Sequence, residues 1–170
     1  MKNLANKITV ARICLVPLFM IFLYSGAGYL AFAVYILACV SDFFDGYIAR
    51  NYNQVSTFGK FMDPLADKVL VIAAMCWFVQ ALRFPGWALA LVCFREFAVS
   101  GLRLIAAEKG QVIAAAKSGK IKTASTMVAL AVMLFFENRV LDVIAVIVIT
   151  VTTLYSGYEY FKNNKGVFNS

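Results

Sequence analysis

The 170 residues contain no histidine. That absence removes Ser-His-Asp and Cys-His catalysis, and any histidine-ligated zinc or copper site. Charge is also scarce. Charged residues are 15% of the chain, and 9 acidic side chains face 16 basic ones. There are only three prolines, and no internal repeat or low-complexity tract. The four cysteines, Cys14, Cys39, Cys76 and Cys93, form no CxxC pair and fall inside apolar runs. They read as small buried hydrophobes without a redox or metal role. Any chemistry must rest on carboxylates, lysine and arginine, hydroxyls, and metals that prefer oxygen.

What is present is apolar surface. Apolar residues make up 62% of the chain, against roughly 45–50% in a soluble domain, and the mean hydropathy is +0.79. A soluble protein of this length could not hide so much. The composition excludes disorder, collagen, coiled coil and a disulfide-stapled secreted scaffold. A bilayer span needs about 20 mostly apolar residues. The chain divides into six such segments, at about 8–24, 29–50, 62–82, 87–107, 122–136 and 140–161, separated by polar or Gly/Pro breaks. The runs are long and do not alternate, so the expected fold is an all-α integral membrane protein with six transmembrane helices, a single domain over 1–170.

An even number of spans puts both termini on one side. With the termini cytoplasmic, the inner segments hold Lys2, Lys7, Arg12, Arg50, Lys60, Lys109, Lys117, Lys120, Lys122, Lys162 and Lys165, and the outer loops hold only Arg83 and Arg139. The positive-inside rule then sets both termini in the cytoplasm. A signal peptide is disfavoured, because Arg12 interrupts the first apolar run and no small-residue cleavage site follows. A short amphipathic lead-in is expected at 2–7. Aromatic residues near the span ends, Tyr24, Tyr29, Trp87, Tyr155, Tyr158 and Tyr160, are expected as interfacial anchors.

Ionisable groups inside spans are costly and usually functional. Asp42 and Asp45 lie three apart in the second span, and Asp63 and Asp67 four apart at the start of the third. Either spacing puts two carboxylates on one helix face. Four such groups cannot all stay ionised without cations. Interhelical salt bridges are the plain alternative, but acids outnumber nearby bases, and short aspartates suit fixed coordination. One or two Mg²⁺ or Mn²⁺ ions match four hard oxygen donors, and two ions clamping a phosphate serve displacement at phosphorus. Gly46, Ala49 and Gly59 are small residues beside these acids that admit a ligand, and Arg50 is placed to meet a phosphate or nucleotide edge. Arg95 and Arg103, eight apart in the fourth span, lie about 80° apart around the helix and can line one cavity. Binding a phosphate is favoured for them over pairing with Glu96 or Glu108. Lys120 and Lys122 open the fifth span, with Lys120 preferred of the two. Lys109 and Lys117 read as ordinary loop residues.

The run Asp42-Phe-Phe-Asp45-Gly46-Tyr-Ile-Ala49-Arg50, followed after eight residues by Gly59-Lys-Phe-Met-Asp63-Pro-Leu-Ala-Asp67, resembles the signature of the CDP-alcohol phosphotransferases, with every fixed position matched. The segments Arg95-Glu96-Phe-Ala-Val-Ser-Gly101-Leu-Arg103, Gly119-Lys120-Ile-Lys122-Thr123 and Asn6-Lys-Ile-Thr9-Val-Ala-Arg12 are similar to the bacterial branch that makes phosphatidylglycerophosphate. The resemblance implies transfer of a phosphatidyl group from CDP-diacylglycerol to glycerol 3-phosphate, with CMP released. It implies metal binding by Asp42, Asp45, Asp63 and Asp67, proton acceptance by Asp67, and nucleotide contacts from Gly46, Ala49, Arg50, Ser56 and Gly59. Thr9 and Arg12 either complete that pocket or form an interfacial helix start with a snorkelling arginine. The acceptor phosphate is expected at Arg95, Arg103, Lys120 and Lys122.

The enzyme is expected in the cell membrane as a multi-pass protein with a cytoplasmic active site, in contact with membrane lipid. A homodimer is expected from the family, and no nucleic-acid partner. The alternatives are a sister synthase using inositol phosphate or serine, a divalent-cation transporter, and a purely structural membrane protein. A transporter would carry carboxylates through the full membrane depth and has no need of the Gly/Ala/Arg positions.

Overall fold

The computed structural model describes the backbone of residues 4–51, 57–109, 113 and 116–165, and the side chains of 11–41, 68–109, 113 and 116–165. Among the described residues there are six helices and no strand: α1 (Leu4–Tyr24), α2 (Gly28–Asn51), α3 (Thr57–Gln80), α4 (Gly86–Glu108), α5 (Lys117–Phe135) and α6 (Arg139–Asn163). The third and fifth begin about one turn earlier than hydropathy suggests. A helix needs only its backbone hydrogen bonds, so it runs on into polar turns that an apolar window does not count. For the same reason the expected separate lead-in at 2–7 is, from Leu4 onward, the first turn of α1. By length and composition, α6 is the one described helix able to cross a membrane; Ala11–Tyr24, Gly28–Ser41 and Lys68–Gln80 are shorter apolar stretches.

The chain forms two compact units. The first holds Met1–Phe78 and Leu130–Glu137. Its α1 and α2 are joined by a tight turn at residues 25–27, so they run antiparallel. Gly26 takes φ 77° there, a left-handed conformation that glycine adopts without steric cost. The amides of Ser25 and Ala27 donate back to the carbonyls of Ile21 and Phe22 at 2.9 and 3.0 Å, closing the end of α1. Arg12, Val16, Phe19 and Leu23 form one buried stripe along α1. Phe19 meets Tyr35 of α2 with ring centroids 5.8 Å apart. Fully buried Ala31, Ala38 and Ala74 are small enough to let helix backbones approach.

The second unit holds Val79–Ala129 and Asn138–Ser170. Here α4 and α6 run parallel: Arg83 just before α4 meets Asp142 early in α6, and Arg103 late in α4 meets Tyr160 late in α6. Between these ends, α5 runs antiparallel to α6. Gly119 and Gly157 both lie against Arg95, and Ser125 of α5 reaches Thr152 of α6 at 3.4 Å. The start of α6 is capped by Asn138, whose Oδ1 accepts from the amides of Val140 and Leu141 at 2.9 and 3.4 Å, satisfying two otherwise orphaned donors.

The distribution of polarity in this unit is inverted relative to a soluble protein. Lys122, Thr126, Asp142, Thr153 and Ser156 are buried, while Phe94, Phe97, Leu104 and Val151 are 58–76% exposed. Such a contiguous apolar exterior is what lipid covers and water does not. The cysteines follow the same logic. Cys14 and Cys76 are exposed, and Cys39 and Cys93 are half-buried, all as free thiols. The expectation of burial fails for Cys14 and Cys76 because a long apolar helix turns part of its surface away from its neighbours. Tyr160 departs the other way. Expected as an interfacial anchor, it is 2% exposed, because it continues the α6 stripe Asp142, Ala145, Ile149, Thr153, Ser156 at helical spacing.

Candidate active site

Asp42, Asp45, Gly46, Ala49 and Arg50 lie on α2, and Gly59, Asp63 and Asp67 on α3; both helices are continuous through these positions. The acids therefore keep their one-turn spacing on each helix. Their side chains, together with Thr9 and Ser56, lie outside the described residues. Just before them, Ser41 Oγ donates to the carbonyls of Leu37 and Ala38 at 2.8 and 3.0 Å, so its hydroxyl is satisfied within α2. Among the described residues no group of three acidic or cysteine side chains could hold a metal.

Arg12 is 1% exposed. That removes the snorkelling alternative, which requires the guanidinium at the surface, and leaves an interior arginine in the first unit.

The second unit brings three of the four expected acceptor residues into ion pairs or hydrogen bonds. Arg95 occupies the buried stripe of α4 between Val92 and Val99, its side chain 12% exposed. Its Nη1 donates to Glu96 Oε1 at 3.0 Å. The same oxygen accepts from Lys122 Nζ at 2.7 Å. A Cβ added to Gly119 would sit 3.6 Å from Arg95 Nη2, and one added to Gly157 3.4 Å from its Cγ. The arginine therefore passes between the backbones of α5 and α6. Its Nε is buried with no hydrogen-bond partner among the described residues, as are Ser118 Oγ, Thr153 Oγ1 and Glu159 Oε2. Buried polar atoms are normally paired, so these four are exceptions within the unit.

Arg103 lies one layer further along α4. Its Nε donates to the Tyr160 hydroxyl at 2.8 Å, and its guanidinium stands 5.4 Å from the centroid of that ring. The tyrosine is held in turn by Asn164, whose Nδ2 donates to the Tyr160 carbonyl at 2.7 Å.

The expected acceptor residues differ in their surroundings. Lys122 is 5% exposed and paired, while Lys120, the preferred of the two lysines, is exposed. Lys122 lies one turn beyond Ser118 and one turn before Thr126, on the inward face of α5, whereas Lys120 falls about 160° away from it. Arg95 pairs with Glu96, the partner over which phosphate binding is the favoured expectation. The two are compatible. Glu96 neutralises one of three cations and fixes two of them, leaving the Arg95, Arg103, Lys122 and Glu96 set at +2. Guanidinium and ammonium groups already held by packing lose little entropy when an anion arrives. Glu96 and Tyr160 are not among the expected site residues, yet both hold expected cations. The i, i+3, i+4 stripe of α6 carried the signal for Tyr160. Glu96 was legible as a neighbour of Arg95, but its second partner lies 26 residues away.

Residues 2–155 match the CDP-alcohol phosphatidyltransferase family. The chain is 41% identical over 186 residues to the CDP-diacylglycerol–glycerol-3-phosphate 3-phosphatidyltransferase of Bacillus subtilis (strain 168), covering 96% of each chain. It is 36% identical over 178 residues to the protein of the same name from Rickettsia typhi, covering 99% of this chain and 100% of that one. A third protein of that name, from Shigella flexneri serotype 5b, is 36% identical over 170 residues, with 93% and 92% covered.

Proposed function

The chain belongs to the CDP-alcohol phosphatidyltransferase family, and from that premise we propose that it transfers the phosphatidyl group of CDP-diacylglycerol to glycerol 3-phosphate. The products are phosphatidylglycerophosphate and CMP. The observation that carries this reading is the likeness to proteins of that name over essentially the whole chain. The buried Arg95–Glu96–Lys122 cluster supports it, because a phosphorylated acceptor needs preorganised cations and serine does not.

In this reading a hydroxyl oxygen of glycerol 3-phosphate attacks the β-phosphorus of CDP-diacylglycerol. The new P–O bond forms as the bond to CMP breaks, and CMP leaves with the electron pair. Asp67 accepts the hydroxyl proton. Gly46, Ala49, Arg50, Ser56 and Gly59 hold the cytidine diphosphate, with Thr9 and Arg12 beside it. Arg95, Arg103 and Lys122 take the acceptor phosphate through charge-assisted hydrogen bonds, with Lys120 at the rim. Asp42, Asp45, Asp63 and Asp67 offer four hard oxygen donors at one-turn spacings, a set that fits two Mg²⁺ or Mn²⁺ ions. Such ions supply neutralisation of charge at the pyrophosphate and on the leaving group. The six helices span the cell membrane with both termini cytoplasmic, as one domain, and the protein works as a homodimer. The diacyl tails stay in lipid while the cations face the cytoplasmic substrate.

Purified protein with Mg²⁺ or Mn²⁺ should release CMP from CDP-diacylglycerol when glycerol 3-phosphate is supplied. Serine and inositol phosphate should give no release. Release with either of these and none with glycerol 3-phosphate would make the chain a sister synthase. Removal of divalent ions by a chelator should abolish turnover and their return restore it.

Lys122→Met should raise the KM for glycerol 3-phosphate by about 10–100-fold, the worth of one charge-assisted hydrogen bond, and leave the KM for CDP-diacylglycerol within about twofold. Glu96→Gln should move the same KM by a smaller factor, because its two cations lose their common anchor but keep their charge. An unchanged acceptor KM in Lys122→Met would remove that lysine from the site.

A further inference from the structure

A second site lies at the other end of the same helices. Residues preceding α4 and the first two turns of α6 enclose a cavity of about 410 Å³, within the roughly 300–1,000 Å³ of ligand pockets. Val79, Phe84, Val143, Val146 and Ile147 give it apolar walls, and Arg83, Asp142 and Arg139 are its charged members. Arg83 and Asp142 neutralise one another: Nε donates to Oδ2 at 2.9 Å and Nη2 to Oδ1 at 2.7 Å. Both carboxylate oxygens are thereby used. Arg139 is exposed and makes no ion pair among the described residues. Its Nη1 donates to the Leu82 carbonyl at 3.0 Å, which leaves most of its five donors open. Leu82 itself takes φ 57°, a left-handed conformation that costs a branched residue energy and is often found where a loop clamps a ligand.

The cavity therefore presents one uncompensated arginine at the mouth of an apolar pocket. We propose that it binds an anionic phospholipid, with the phosphate on Arg139 and an acyl chain along Val143, Val146 and Ile147. A zwitterionic headgroup fits less well, because the one acid lining the cavity, Asp142, is committed to Arg83, and Glu137 lies outside that lining. The position suits a lipid. Arg139 and Tyr160 are 21 residues apart on α6, about 31 Å along its axis, close to the ~30 Å hydrocarbon thickness of a bilayer. The cavity and the Arg103–Tyr160 layer thus sit at opposite membrane faces, and the lipid bound here is not the substrate held at the other end. Trp87, 62% exposed beside this end of α4, is at the depth where indole rings meet headgroups. The proposal does not depend on the acceptor's identity.

The test uses the full chain purified in mixed micelles of phosphatidylglycerol and phosphatidylcholine, with retained lipid read by native mass spectrometry. Wild type should retain phosphatidylglycerol over phosphatidylcholine. Arg139→Gln should lower that retention by about tenfold, the worth of a charge-assisted contact, with CMP release in phosphatidylcholine alone unchanged. Val143→Trp keeps the arginine but fills the cavity, and should lose the lipid as well. Equal retention of the two lipids by wild type, retention undiminished in either variant, or full displacement by inorganic phosphate would overturn the proposal.

Discussion

Asp67→Asn should lower CMP release by about 10²–10⁴-fold, the usual contribution of a positioned general base. The asparagine keeps the size of the side chain and one oxygen donor, yet it cannot accept the proton from the acceptor hydroxyl. It also removes one of four negative charges from the proposed metal set, so part of the loss should take the form of a higher metal requirement. The two contributions separate experimentally. Raising the divalent ion concentration should recover the part due to metal affinity and leave the rest. Far-UV circular dichroism of the variant should match wild type, because position 67 lies within a continuous helix. Activity within twofold of wild type would remove Asp67 from the chemistry.

Asp142→Ala should cost about 3 kcal/mol, the low end for breaking a buried ion pair, because Arg83 keeps 17% exposure where its partner has 5%. The loss is not that of one hydrogen bond. The variant strands a guanidinium against the apolar wall of the pocket and removes the acid that complements the N-terminus of α6. For a chain of this length the melting temperature should fall by roughly 6–12 °C. The double variant Arg83→Met, Asp142→Leu should regain most of that, since replacing both partners removes the uncompensated charge. A single variant that melts with wild type would show the pair to be dispensable. Catalysis at the melting-safe temperature should change little in either variant, because the pair lies about 27 Å along α6 from Tyr160.

Much of the architecture is legible in the sequence. The six apolar segments recur as α1 to α6 because a helix satisfies its backbone hydrogen bonds within its own segment, and local solutions can be read from local sequence. The family was legible too, since the motif from Asp42 to Asp67 is contiguous and its spacings are set by helical periodicity. Helix ends were less so. Thr57 and Lys117 begin their helices in polar surroundings that hydropathy does not register.

Which face each residue takes is a different matter. The sequence supplies the list of cations, but tertiary packing buried Lys122 against Glu96, left Lys120 exposed and drew Tyr160 off the surface to meet Arg103. It also gave Glu96 two partners and left Cys14 and Cys76 facing outward. A charge inside an apolar helix says that something must meet it. Only the neighbouring helix says what, because the compensating group is tens of residues distant in the chain. Composition, absence of histidine and motif spacing thus determined the class of chemistry and the helical fold. The tertiary structure decided which cations are paired and held inside, and where an arginine is left for a lipid, because both are set by contacts between helices and not by the periodicity within one.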